Sequence, residues 1–165
     1  MLFRSLADSD VAGEWYGKSI VLTKKLAPLY GAGGRHWLAI RDEALAEVLG
    51  RKDQAPEQLR LLLEANLIRR ELAETSPHGR LHLMRSYCKL SDAELGLNNP
   101  AKALQYANAA LPLLNGFEVT SPSLLVLRDV GFCYESEAAV QHRMAAGQAL
   151  SAPERLAAEA ESQTW

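Results

Sequence analysis

The chain has 165 residues, 48% hydrophobic and 23% charged, with a formal net charge of −2. It is long enough to bury a core, and its near-neutral balance leaves no basic footprint for nucleic acid or an anionic membrane surface. No apolar run approaches the roughly 20 residues that span a bilayer, and Met1–Arg4 leads directly into polar residues rather than a signal-peptide core.

Ser9 or Asp10 is placed to cap a first helix running to about Leu29, with Val11, Trp15, Ile20 and Leu22 among its apolar residues. The glycine-rich stretch Tyr30-Gly31-Ala32-Gly33-Gly34 is expected to end it. A second helix is predicted from Arg35 to Gly50, and a third from Pro56 to about Thr75. Further helices start at Ser76-Pro77, Asn99-Pro100 and Ser121-Pro122, the last running to about Ala149. A seventh starts at the capping box Ser151-Ala152-Pro153-Glu154. The prolines are the main evidence, because a first-turn position tolerates the missing N–H. Leu124–Leu127 could be a short strand in isolation, but its continuation through Val130, Tyr134 and Ala138 favours helix. The fold class is therefore all-α. Cys88 and Cys133 lie far apart inside apolar helical patterns, which predicts two buried free thiols and a cytoplasmic, reducing compartment.

The stretch after Pro56 can be laid on that after Pro100 without a gap, matching Leu59 to Ala103, Leu63 to Ala107 and Leu67 to Leu111. Arg41, Arg85 and Arg128 recur at a similar interval. A period of about 44 residues indicates stacked helical hairpins, since one hairpin cannot bury its apolar face alone. The central unit resembles a tetratricopeptide repeat. Tyr87 takes the aromatic place, Leu90-Ser91 the L-G place, and Ala103, Ala107 and Ala110 the small-residue places. The run from Leu97 to Leu104 looks like that family's turn. In the next unit Leu127, Val130, Gly131 and Tyr134 fill the first-helix places, and Ala12, Tyr16, Ser19 and Ile20 look like a second helix without its first. The departures are Glu94 and Ala107, where aromatics are usual, and a period longer than the family's roughly 34 residues.

This resemblance implies antiparallel hairpins stacked into a right-handed superhelix of about seven helices in one domain, residues 1–165. The units would be a half unit at 9–29, then 35–75, 77–114 and 122–165. Glu161–Trp165 matches Val11–Trp15 in repeat phase, so an interrupted array with self-association through uncapped terminal helices is expected. A narrower resemblance links Glu14–Ile20 and Leu127–Glu135 to the repeats that follow the kinase domain in some large bacterial serine/threonine protein kinases. It implies a regulatory region without the catalytic part. HRD and DFG are absent, Gly31–Gly34 lacks the third spaced glycine of GxGxxG, and the Ala152-Pro153-Glu154 triplet opens a helix.

No catalytic set is expected. His78 and His82 have helical metal-ligand spacing but no acidic or Cys partner completes a set, so neither metal nor cofactor is expected. His36 and His142 read as isolated and solvated. Ser86 and Lys89 match SxxK, but Tyr87 and Leu90 explain the segment as repeat core. Trp15 and Trp37 are expected between repeats, and Arg69-Arg70 on a solvated face. If first helices line a concave groove, Arg41, Arg85 and Arg128 would form a row able to grip carboxylates of a partner protein or peptide, with pairing to Asp42, Asp92 or Asp129 as the plainer alternative. The resulting expectation is a non-catalytic protein–protein interaction scaffold.

Overall fold

Prolines sit in the first turns of three helices, at Pro56, Pro77 and Pro100, and the left-handed residues Asp53 and Asn98 follow two helix ends, so local chemistry sets the middle helix boundaries of this chain. A computed structural model of the chain describes residues 6–75, 77–114 and 124–149. These form α1 (Leu6–Leu26), α2 (Gly31–Gly50), α3 (Ala55–Ala73), α4 (Pro77–Gly96), α5 (Pro100–Ala110) and α6 (Leu124–Ala149). Short 3-10 helices at Ala27–Tyr30 and Leu111–Leu114 extend α1 and α5. No strand occurs among the described residues. The expected seventh helix, from Ser151, and the start at Pro122 lie outside the described residues. No helix of the described residues is long and apolar enough to cross a membrane.

The hairpin turns α2–α3 and α4–α5 repeat one solution. Asp53 and Asn98 both adopt positive φ, 55° and 59°. The next amide donates five residues back, Gln54 to the Leu49 carbonyl at 3.1 Å and Asn99 to Glu94 at 2.8 Å. Short polar Asp and Asn tolerate this conformation, and the bonds satisfy carbonyls that a helix end leaves open. Pro56 and Pro100 then sit in the first turns of α3 and α5. Neither start has a side-chain cap. Asn99 donates from Nδ2 to Glu94 Oε2 at 3.0 Å. That bond lets an acid occupy the buried place where the repeat pattern has an aromatic.

Each helix packs on the next in the chain, and α4 also meets α6. Helix α4 serves both core clusters. Leu90 and Ala93 join Ala46 of α2 and Leu61 and Leu62 of α3. Leu81, Met84 and Cys88 join Ala110 of α5 and Cys133 of α6. Each buried leucine contributes about 2 kcal/mol by burial alone. The small residues Ala103, Ala107 and Ala110 are all buried, which allows α5 to approach α4 closely.

Three expectations change. Cys88 and Cys133 are not free thiols but a disulfide with a Cα–Cα distance of 5.4 Å, clipping α4 to α6. With 45 residues of separation, such a bond stabilises by about 2–4 kcal/mol, and the free-thiol argument for a reducing compartment falls away. Trp15 and Trp37 do not fill inter-repeat gaps; they are 65% and 55% exposed. The glycines at 31–34 do not separate two helices as a loop. Only Gly31 takes positive φ, and α2 runs through the rest. At Gly34 the absent side chain is what matters, since a Cβ there would lie 2.4 Å from the Ala27 carbonyl oxygen.

That contact is backbone, which cannot rotate aside. Gly34→Ala should destabilise the fold by about 1–3 kcal/mol, read as a lower denaturant midpoint with an unchanged slope. Gly33→Ala, with nothing within 4 Å of its Cβ, serves as the control and should be neutral or stabilising.

Candidate functional site

Antiparallel packing brings the start of α2, the end of α3 and the start of α4 to one end of the stack. An open groove of about 800 Å³ lies there. Its apolar lining comes from Leu67, Ala73, Leu83, Tyr87 and Leu113, and its charged lining from Arg35, Arg70, Arg80, Glu71 and Glu74. Leu67 is 59% exposed. Arg35 is ion-paired with Glu71 across the rim.

A buried ionic network positions these walls. Arg69, 2% exposed, donates from Nε to Glu43 Oε1 at 3.0 Å and lies 2.9 Å from His36 Nδ1 through Nη1. A guanidinium can only donate, so His36 Nδ1 must accept. Burial first, and the Arg69 charge second, hold the His36 pKa below its ordinary value, against an opposing pull from Glu43. His36 also packs on His82 of α4, ring centroids 5.0 Å apart. The other Glu43 oxygen receives Lys89 of α4 at 3.4 Å, and Lys89 reaches Glu47 at 2.7 Å. Glu43 thus ties α2 to both α3 and α4. Consecutive helical residues point about 100° apart, so a buried Arg69 leaves Arg70 facing the groove.

This corrects two readings. Arg69 is not on a solvated face, and His36 is neither isolated nor solvated. The spacing of Leu62, Ala65, Asn66, Arg69 and Leu72, all buried, places Arg69 on the core stripe of α3, a signal that its charge obscured.

The expected row of Arg41, Arg85 and Arg128 lies on α2, α4 and α6. Arg41 is half-buried on α2 with its guanidinium 5.6 Å from the Trp37 ring centroid, Arg85 is half-buried on α4, and Arg128 is exposed on α6. None of them lines the groove, which takes Arg35, Arg70 and Arg80 instead. Of the acids considered as their partners, Asp92 accepts from Ser136 Oγ at 2.6 Å. Asp42 is 1% exposed and neither carboxylate oxygen has a hydrogen-bond partner. Burial pushes its pKa up to about 6, against the attraction of Lys24 and Arg60.

Ser86 is buried and accepts from Asn66 Nδ2 at 3.2 Å, while Lys89 is engaged in its ion pairs. His78 is exposed and His82 pairs with His36. Among the described residues no group of three or more His, Cys, Asp or Glu is placed to hold a metal ion. Neither a protein-family model, nor a curated protein, nor a solved structure matches this chain.

Two substitutions separate the paired acid from the unpaired one. Glu43→Gln leaves the Arg69 charge buried without its counter-ion and should cost about 3–5 kcal/mol, measured by chemical denaturation. Asp42→Asn should do the opposite. The native carboxyl has a raised pKa, so the native state binds the extra proton between the ordinary value of 3.8 and about 6. The wild type therefore loses stability as pH rises through that window. Asp42→Asn should be more stable by about 2–3 kcal/mol at pH 8, with the gain vanishing toward pH 4.

Proposed function

We propose that this chain is a non-catalytic, tetratricopeptide-like helical-repeat module. Its groove between the ends of α2, α3 and α4 takes an amphipathic helical segment of a partner protein that carries carboxylates. The observation behind this reading is an exposed leucine, Leu67, set among Arg35, Arg70 and Arg80 in one open groove. Leu67, Leu83 and Leu113 offer an apolar floor of the kind that receives i, i+3, i+4 anchors. Planar guanidiniums at the margin suit bidentate capture of Asp or Glu side chains. The Arg35–Glu71 pair would exchange one carboxylate for another on binding, so part of the electrostatic gain would be offset. Affinity would then come mainly from the apolar contacts, and the arginines would set selectivity and orientation.

The test uses peptides selected on the wild-type chain from a phage-displayed random library, measured afterwards by fluorescence anisotropy. Selected sequences should combine helical apolar spacing with acidic residues. Leu67→Asp and the pair Arg70→Glu/Arg80→Glu should each weaken binding by about tenfold or more, equivalent to about 1.4 kcal/mol. The pair Arg85→Glu/Arg128→Glu should leave it within about twofold, since neither residue lines the groove. Loss of binding in the second pair and not the first would move the interface to the row Arg41, Arg85 and Arg128.

A further inference from the structure

Helix α1 packs on α2 through one face and leaves a second apolar face uncovered. The inward face carries Ile20, which is buried, and Gly13, where a Cβ would come within 3.5 Å of Val48 Cγ1. The outward face carries Val11, Trp15, Leu22 and Leu26, which are 56%, 65%, 58% and 38% exposed. Successive helical residues turn by about 100°, so these four fall within one narrow stripe, opposite Ile20 and Gly13. A stripe of this kind on an outer helix is a contact surface waiting for a partner rather than scattered surface apolarity.

The order of residues along the stripe identifies that partner. The spacing from 11 to 15, 15 to 22 and 22 to 26 reads the same in both directions. An identical helix laid antiparallel would set Val11 against Leu26 and Trp15 against Leu22, twice over. That self-complementarity is the requirement for a two-fold symmetric interface, in which one patch serves both subunits. Charge follows the same symmetry. Glu14 and Lys25, both exposed, lie on the same flank of the stripe at opposite ends of the helix. A two-fold axis perpendicular to the helices keeps each flank facing its own copy, so Glu14 of one subunit meets Lys25 of the other at both ends. Among the described residues Glu14 pairs locally, with Lys18 at 2.5 Å and four residues away. A parallel two-fold pair would carry the two copies of this flank to opposite sides of the seam, so Glu14 and Lys25 would not meet.

The geometry points to a second copy of this chain as the occupant: two α1 helices pair antiparallel, with their outward stripes in contact, to form a symmetric dimer. This surface lies on the first helix of the stack and is separate from the groove at the ends of α2, α3 and α4. Dimerisation would therefore present two grooves without occluding either. The contact area of one helix of 21 residues is at the small end of specific interfaces, so association is expected in the micromolar range.

Sedimentation velocity over a concentration series of the full chain reads this directly. The wild type should show a reversible monomer–dimer equilibrium. Leu22→Asp should weaken it by at least about tenfold, with helix content by circular dichroism unchanged. Glu14→Lys and Lys25→Glu should each weaken the dimer, while an equimolar mixture of the two, and the double variant Glu14→Lys/Lys25→Glu, should recover it. A wild type that stays monomeric throughout, or a dimer indifferent to Leu22→Asp, overturns the proposal and assigns the stripe to another segment or another protein. A dimer lost in Leu22→Asp but not recovered by the paired charge reversal overturns the antiparallel arrangement.

Discussion

The Glu43 carboxylate is the interaction on which the rest of this structure depends. One oxygen holds Arg69 of α3 and the other receives Lys89 of α4. Three helices are thereby fixed in rotational phase by one side chain of α2. Burying these charges carries a desolvation penalty that the pairing largely offsets, so the network's contribution is better described as register than as net stability. Register is what the groove needs. If α3 turned by one residue, Arg69 would leave its acid, Arg70 would leave the groove, and the apolar partners of Leu61 and Leu62 would change together. Apolar packing alone tolerates such slips more readily than a buried ion pair does, because its interactions are less directional.

Around that network the fold is a set of local solutions used twice. The turns at Asp53 and Asn98 have the same backbone conformation and the same long-range amide bond. The proline that follows each turn rules out continuation of the preceding helix and suits the start of the next. Helix α4 then joins the two halves, because its opposite faces enter different core clusters. The disulfide to α6 is anchored in the second of these. Most contacts are between neighbours in the chain order, with α4 also meeting α6 and reaching α2 through Lys89, an arrangement in which cooperativity passes from one helix to the next.

The features legible in the sequence are those set by local chemistry. Prolines marked the starts of α3, α4 and α5, Asn98 lay in the predicted turn, and the alanines of α5 are buried where small residues were expected. The errors came from residues whose fate depends on a partner distant in sequence. Arg69 reads as a surface charge until Glu43 is placed beside it. His36 reads as solvated until Arg69 and His82 approach. Cys88 and Cys133 read as free thiols because nothing local indicates that α4 and α6 are neighbours. The groove arginines share no period, since Arg35, Arg70 and Arg80 meet only through the antiparallel packing of three helix ends. Arg41, Arg85 and Arg128 recur at a regular interval, but none of the three lines this groove.

Stability within the molecule falls from α4 toward α1, and the exposed stripe sits at the weaker end. Helix α4 has buried residues on several sides and packs against α3, α5 and α6. Helix α1 packs mainly on α2 and the 3-10 helix that follows it. Its ionic tie to α3, Lys24 to Glu64 at 3.3 Å, is solvent-exposed and so contributes little. Asp42, buried on α2 and felt electrostatically by Lys24, adds a cost once it ionises. A helix held this way opens at lower free energy than the core, and with Trp15 and Leu22 outward it gains from being covered. An element that is weakly held from inside and apolar outside is stabilised by whatever binds it, in proportion to occupancy. Assembly on α1 would therefore act as the last step of folding for this end of the stack, coupling the order of the first helix to the concentration of its partner.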